Sequence, residues 1–157
     1  MFDDYEFYQG VVLRSLIINT DLSVMIKPFV REGRISAFVV NSKLGVFVKH
    51  SSKRMPPWRF IFNLDQVSDL LDLEAKYFDS FVVLVCGTDG IVTLDVASLH
   101  TIVTFDDVDK AWVAIERKPR SQYSVRGNRA ELPNKVAQGT NAIHLTARSR
   151  LHDLRRA

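Results

Sequence analysis

Two periods of apolar residues run through the chain, and the switches between them mark its elements. From Phe7 to Ile18 the apolar positions Phe7, Tyr8, Val11, Val12, Leu16 and Ile18 fall near the helical repeat. Asp3 stands at an N-cap with Glu6 three residues on, which predicts a helix that starts there and ends at Asn19-Thr20-Asp21. Gly10, inside that stretch, reads as a point of close packing.

The period then shortens. Leu22–Val30 predicts a short strand, and Pro28 within it points to a sheet edge. Ile35–Asn41 is rich in β-branched and aromatic residues, Ser42-Lys43-Leu44-Gly45 turns, and Val46–Lys49 returns as the second arm of a hairpin. Pro56-Pro57 interrupts the chain. Trp58, Phe60 and Phe62 then alternate with Arg59 and Ile61, so Trp58 reads as the first core residue of its strand. Asn63 and Gln66 form a second capping box. The helix it opens has Val67, Leu70, Leu71, Tyr77 and Phe78 as its expected core stripe and Asp65, Asp69, Asp72 and Glu74 as its wet face. Phe81–Cys86 is a continuous apolar run, as expected of a central strand covered on both faces.

Gly87-Thr88-Asp89-Gly90 turns into Ile91–Leu94, Asp95 caps a short helix to Val103, and Ala111–Glu116 reads as the last strand. Beyond Arg117 the periodicity fades, apart from a short helix from Asn141 to Arg155 with Ile143, Leu145, Leu151 and Leu154 as its apolar contacts. The order α-β-β-β-α-β-β-α-β predicts an α+β or α/β fold, a single mixed β-sheet with flanking helices. Residues 1–118 are expected to form one domain, and 119–157 a basic, partly irregular extension.

Length and composition agree with a globular chain. It has 157 residues, 46% hydrophobic and 25% charged, ordinary values for a domain with its own core. No apolar run approaches the roughly 20 residues of a membrane helix. The opening Met-Phe-Asp-Asp-Tyr-Glu is acidic where a signal peptide would be basic. A lone cysteine, Cys86, inside an apolar run gives neither a disulfide framework nor a thiolate metal site. The expectations are a cytoplasmic protein, no membrane partner and no cofactor.

Charge changes the picture more than composition does. Net charge is only +3, but residues 1–59 carry nine Lys/Arg against five Asp/Glu, residues 60–116 two against eleven, and residues 117–157 ten against two. No acid occurs between Glu32 and Asp65, a gap that holds Arg34, Lys43, Lys49, Lys53, Arg54 and Arg59. Such blocks predict a basic face able to attract phosphate or an acidic partner. The densest part is Lys49-His50-Ser51-Ser52-Lys53-Arg54-Met55-Pro56-Pro57-Trp58-Arg59. Cations with neutral hydroxyls and an aromatic ring are what single-stranded or irregular nucleic acid requires. The candidate nucleic-acid-binding residues are therefore Lys49, His50, Ser51, Lys53, Arg54, Trp58 and Arg59. Arg117-Lys118-Pro119-Arg120 with Tyr123, Arg126 and Arg129 forms a second basic stretch that would extend this face if it folds back beside it.

Other chemistry has little support. His50, His100, His144 and His152 show no metal-ligand spacing, there is no Gly-x-Ser-x-Gly, and the turn at 87–90 carries an acid and lacks the lysine of a phosphate loop.

The order of elements over residues 5–96 resembles the restriction-endonuclease-like PD-(D/E)xK superfamily, in which a helix precedes a three-stranded meander, then a helix and a further strand. The resemblance implies a metal-dependent nuclease core, with Lys49 at the motif lysine and Glu6 as the acid of the first helix. The motif is degenerate here. Phe47 stands two before Lys49 in place of an acid or amide, and no Asp or Glu lies from Gly33 to Leu64. A hard divalent ion needs carboxylates, so the usual catalytic metal site is not expected. The phrase from Lys49 to Trp58 also resembles one that recurs in bacterial proteins, and it carries no function with it. The sequence thus predicts a non-catalytic module that binds DNA or RNA on a nuclease-like core. Its alternatives are a protein–protein module, including a homodimer paired through its acidic and basic blocks, and a divergent nuclease with carboxylates from Glu6, Glu32 or Asp95.

Overall fold

The structure is a computed structural model that describes residues 1–18, 20, 21 and 23–156, with Val108 and residues 151–156 in backbone only. It is an α+β fold. Helix α1 (Asp4–Ile18) leads into a meander of β1 (Ile26–Arg31), β2 (Arg34–Val40) and β3 (Leu44–Ser51). Then come β4 (Trp58–Ile61), α2 (Leu64–Lys76), β5 (Asp79–Cys86), β6 (Gly90–Asp95), α3 (Val96–Ile102), β7 (Trp112–Glu116), β8 (Ser124–Gly127) and α4 (Asn141–Arg156).

The strands divide between two sheets rather than forming the single sheet expected. Five lie in the order β1-β2-β3-β5-β6, and the other three form β4-β7-β8. In the large sheet β5 runs parallel to β3, and the remaining neighbours are antiparallel. Both edges of β3 are therefore occupied, by β2 and β5, so β4 cannot continue the meander and pairs with β7 instead. A parallel neighbour also needs a crossover, which the β4–α2 segment provides.

The continuous apolar runs of β3 and β5 follow from burial on both faces. Phe47, Val82 and Leu84 point to a core shared with α2, α3 and the small sheet, whereas Val46, Val48, Phe81 and Val83 point to a core shared with α1 and α4. Gly45 is required where α2 crosses this sheet, because a Cβ there would lie 2.7 Å from the Leu73 side chain. Edge strand β1 carries Pro28 and a register shift at Phe29/Val30, two devices that discourage further pairing.

Both capping boxes form. Asp3 Oδ1 accepts from the Glu6 N–H at 2.9 Å while Glu6 Oε2 accepts from Asp3 N at 3.0 Å, and Asn63 and Gln66 make the same exchange. Asp95 likewise caps α3 through the Ser98 N–H.

Several expectations need correction. The first strand begins at Ile26, not Leu22; Leu22, like the expected helix terminator Asn19, is outside the described residues. The α2 stripe is Val67, Leu70 and Leu73, with Tyr77 packed beside it, whereas Leu71 and Phe78 are exposed. Phe78 follows the helix C-cap at Tyr77 and turns outward before β5. Asp69, placed on the wet face by sequence, is buried because Arg34 and Ser36 bind it. Gly10 marks no close packing within the chain, since a Cβ there would meet nothing within 4 Å. Ala111–Glu116 is not the last strand: β8 pairs with β7, and Tyr123 just before it is fully buried. In α4 Ile143 is buried and Leu145 exposed, while the side chains of Leu151 and Leu154 are outside the described residues.

Two substitutions test this packing. Trp58→Ala empties a fully enclosed site and should cost about 3–5 kcal/mol. Asn63→Ala removes only the α2 cap and should cost about 1 kcal/mol. Denaturant midpoints at constant slope measure both, and equal losses would contradict the assignment of Trp58 to the core.

Candidate functional site

The segment that sequence singles out runs from the end of β3 to the start of β4, and the fold spreads it over several surfaces. Successive residues of β3 point to opposite faces. Lys49 turns to the α2 side, where Nζ donates to Gln66 Oε1 at 2.9 Å and lies 5.4 Å from the centre of the Phe62 ring. Burial lowers its pKa from the usual lysine value to about 8. His50 turns to the α1 side, stacked on Tyr8 with ring centres 4.4 Å apart and edge-on to Tyr5. Its pKa is lowered chiefly by burial, with Lys49 adding to the effect and Asp4 and Asp3 opposing it.

The next residues hold the loop together. Ser51 Oγ accepts from the Lys53 N–H, Lys53 Nζ donates to the Pro57 carbonyl at 3.1 Å, and the Trp58 indole N–H donates to the Lys53 carbonyl at 2.9 Å. Gly87, at φ 55°, packs against the Lys53 carbonyl so closely that a Cβ could not fit, and its N–H donates to Ser51 O. Trp58 is 1% exposed, so it cannot stack on a base; as a binding residue it is corrected to a core residue. Arg54 remains exposed in the loop.

Arg59 leads to a surface that sequence reasoning did not assemble. In the small sheet Trp58, Phe60, Val113, Ile115 and Val125 face inward. Arg59, Ile61, Trp112, Ala114 and Arg126 therefore share the outer face. Arg59 and Arg126 both pair in register with Ala114, one from each flanking strand. The Arg59 guanidinium lies 4.5 Å from the centre of the Trp112 ring and that of Arg126 5.5 Å. No carboxylate among the described residues forms an ion pair with either arginine. Alternation in 112–116 places Trp112 opposite Val113 and was the available signal for it. Arg126 could not be placed because β8 was not recognised as a strand.

The rest of the second basic stretch does not all join this face. Arg117 bridges to Asp89 at 2.8 Å and lies over the Tyr123 ring, while the Tyr123 hydroxyl donates to the same carboxylate at 2.6 Å. This knot, in which only Tyr123 is fully buried, ties residues 117–123 to the β5–β6 turn.

A cleft of about 420 Å³ lies between the N-terminal ends of α1 and α2, lined among others by Asp3, Tyr5, Arg34, Asp65 and Gln66. Asp69, at its back, accepts from Arg34 Nη2 at 2.9 Å and from Ser36 Oγ at 3.1 Å. That bond, with help from Glu32 and Asp65 against some desolvation, raises the Arg34 pKa. Ala37 and Phe47, paired in register, are both apolar. Glu6 remains in the α1 capping box. Among the described residues no group of three or more His, Cys, Asp or Glu side chains could hold a metal ion. His100 binds Glu74 at 2.8 Å, and Cys86 is a buried thiol whose pKa burial pushes up to about 12. The side chain of His152 is outside the described residues.

No protein-family model, curated protein or solved structure matches this chain.

The Lys49 environment has a signature in pH. Its folded pKa lies below the unfolded one, so the unfolded chain binds more protons between about pH 8 and the ordinary lysine range near 10.5. Stability from this group therefore rises with pH across that window, and below pH 8 the buried charge is a constant penalty. Lys49→Met should raise stability at pH 7 by roughly 1–2 kcal/mol, allowing for screening of a partly exposed ammonium. The difference from the parent should close as pH approaches 10.5. Parallel denaturant titrations at several pH values measure this, and a pH-independent difference would contradict it.

Proposed function

We propose that the protein is a nucleic-acid-binding module built on a nuclease-like core, and that it meets the phosphate backbone with the outer face of its small sheet. The observation that carries the reading is the convergence of Arg59 and Arg126, from different strands, on the exposed side of Trp112. Guanidinium groups on an aromatic plane keep their charge and stay oriented, and such pairs suit both phosphates and unstacked bases.

The charge distribution supports the same face. The acidic block spends much of its charge inside the molecule: Asp72 pairs with Arg31, Asp69 with Arg34, Asp79 with Arg150 and Asp89 with Arg117. Arg59 and Arg126 have no such partner among the described residues, and Arg54 is exposed in the loop before β4. The nuclease-like half of the reading draws on the succession of α1, the β1–β3 meander, α2 and a strand parallel to β3. Lys49 stands near the end of β3 with Gln66, an amide, as its partner.

Fluorescence anisotropy with labelled single-stranded RNA, single-stranded DNA and duplex, from about 50 to 200 mM salt, tests the proposal. Binding should weaken steeply with salt. Arg59→Ala with Arg126→Ala should reduce the log–log slope on single strands by about 1.4, about 0.7 for each lost phosphate contact. Absence of salt-dependent binding to every nucleic acid would overturn the reading. Cleavage with magnesium or manganese that Lys49→Ala abolishes would replace it with a divergent nuclease.

A further inference from the structure

Helix α1 is apolar on two sides, and the large sheet covers only one of them. Tyr8, Val12 and Leu16 face the sheet and belong to or pack on its second core. Phe7, Val11, Ile17 and Ile18 are exposed on the other side. At about 100° per residue they fall in an arc of about 120° that runs from Val11 through Ile18, Phe7 and Arg14 to Gly10 and Ile17. Phe2 extends it, edge-on to Phe7 with ring centres 6.2 Å apart. A helix that is hydrophobic all round belongs in an interior. We propose that this outer face of α1 is buried by α1 of a second copy, crossing antiparallel about a twofold axis near Gly10.

Three observations select a second copy as the occupant. The first is charge. In a twofold antiparallel pair centred on Gly10, Glu6 of each copy meets Arg14 of the other, since both stand four residues from the axis. Both residues are exposed, and Glu6 uses only Oε2 in the capping box. The second is shape. Gly10, midway along α1 and toward the Ile17 side of that arc, has nothing within 4 Å of a built Cβ, so the two helix backbones can approach closely there.

The third is area. Phe2 and Phe7 are 74% and 61% exposed, and Val11, Ile17 and Ile18 each about half. Together they offer roughly 500 Å² of apolar surface, at the upper end of what a monomer leaves uncovered. A standard interface needs about 800 Å² from each partner, and the polar flanks of α1 can supply the remainder.

This pairing is independent of nucleic-acid binding and differs from a dimer joined through the acidic and basic blocks, whose charges are partly consumed within one chain.

Light scattering coupled to size exclusion, over a range of micromolar concentrations, should give the dimer mass. Ile17→Glu and Arg14→Glu should each raise the dimer dissociation constant at least about tenfold while leaving the circular-dichroism melt of the subunit intact. Gly10→Cys should cross-link to itself under mild oxidation, because the residue lies on the axis and the native Cys86 is buried. A Lys43→Cys control, on the β2–β3 turn, should not. A monomer at every concentration would overturn the proposal, including one whose apolar face instead binds phosphatidylcholine vesicles. So would a dimer insensitive to Ile17→Glu, or a Gly10→Cys variant that cross-links no faster than the control.

Discussion

Parallel pairing of β3 with β5 is the constraint from which the rest of this structure follows. Leu44–Ser51 runs beside Asp79–Cys86 over its whole length, and both strands are apolar on alternate faces. Neither face can be left to water, so a layer of α1 and α4 covers one and α2, α3 and the small sheet cover the other. The parallel direction also dictates a crossover. The chain leaves the sheet after Ser51, makes β4 and returns through α2, which places the basic loop at the carboxyl ends of the two central strands. Lys49 and His50, adjacent in sequence, are thereby sent to opposite sides of the sheet.

The small sheet is a consequence of that exit. Once β3 is saturated on both edges, β4 can satisfy its backbone only with new strands, and β7 and β8 from the C-terminal third provide them. Its inner face, led by Trp58 and Phe60, is absorbed into the core. Its outer face then presents whatever alternates with those residues, which is Arg59 from β4, Trp112 from β7 and Arg126 from β8.

Local rules made much of this legible. The capping boxes at Asp3/Glu6 and Asn63/Gln66, the cap at Asp95, the continuous run at 81–86 and the core position of Trp58 each depend on residues near one another in the chain. What was missed depends on pairing at a distance. Whether β4 continues the first sheet cannot be read from Trp58–Ile61, because the answer lies in β5 having taken the free edge of β3. The burial of Asp69 depends on Arg34, thirty-five residues earlier. The short β8 carries only Val125 as a buried residue and has no periodicity of its own, so Arg126 had no visible neighbour.

The two ends of the basic segment differ in what their charges can do. At Lys49 burial disfavours the ammonium, and its contacts are an amide oxygen and a phenyl ring. That ammonium is still charged at neutral pH, but it is held against Gln66 and Phe62 and not offered to an outside phosphate. Arg59 is exposed, and its guanidinium lies on an aromatic plane beside a second guanidinium. In the proposed reading, contact with phosphate therefore belongs to the small sheet, and Lys49 with Gln66 serves as scaffold. In that reading the binding face lies where β4 leaves the large sheet to pair with β7.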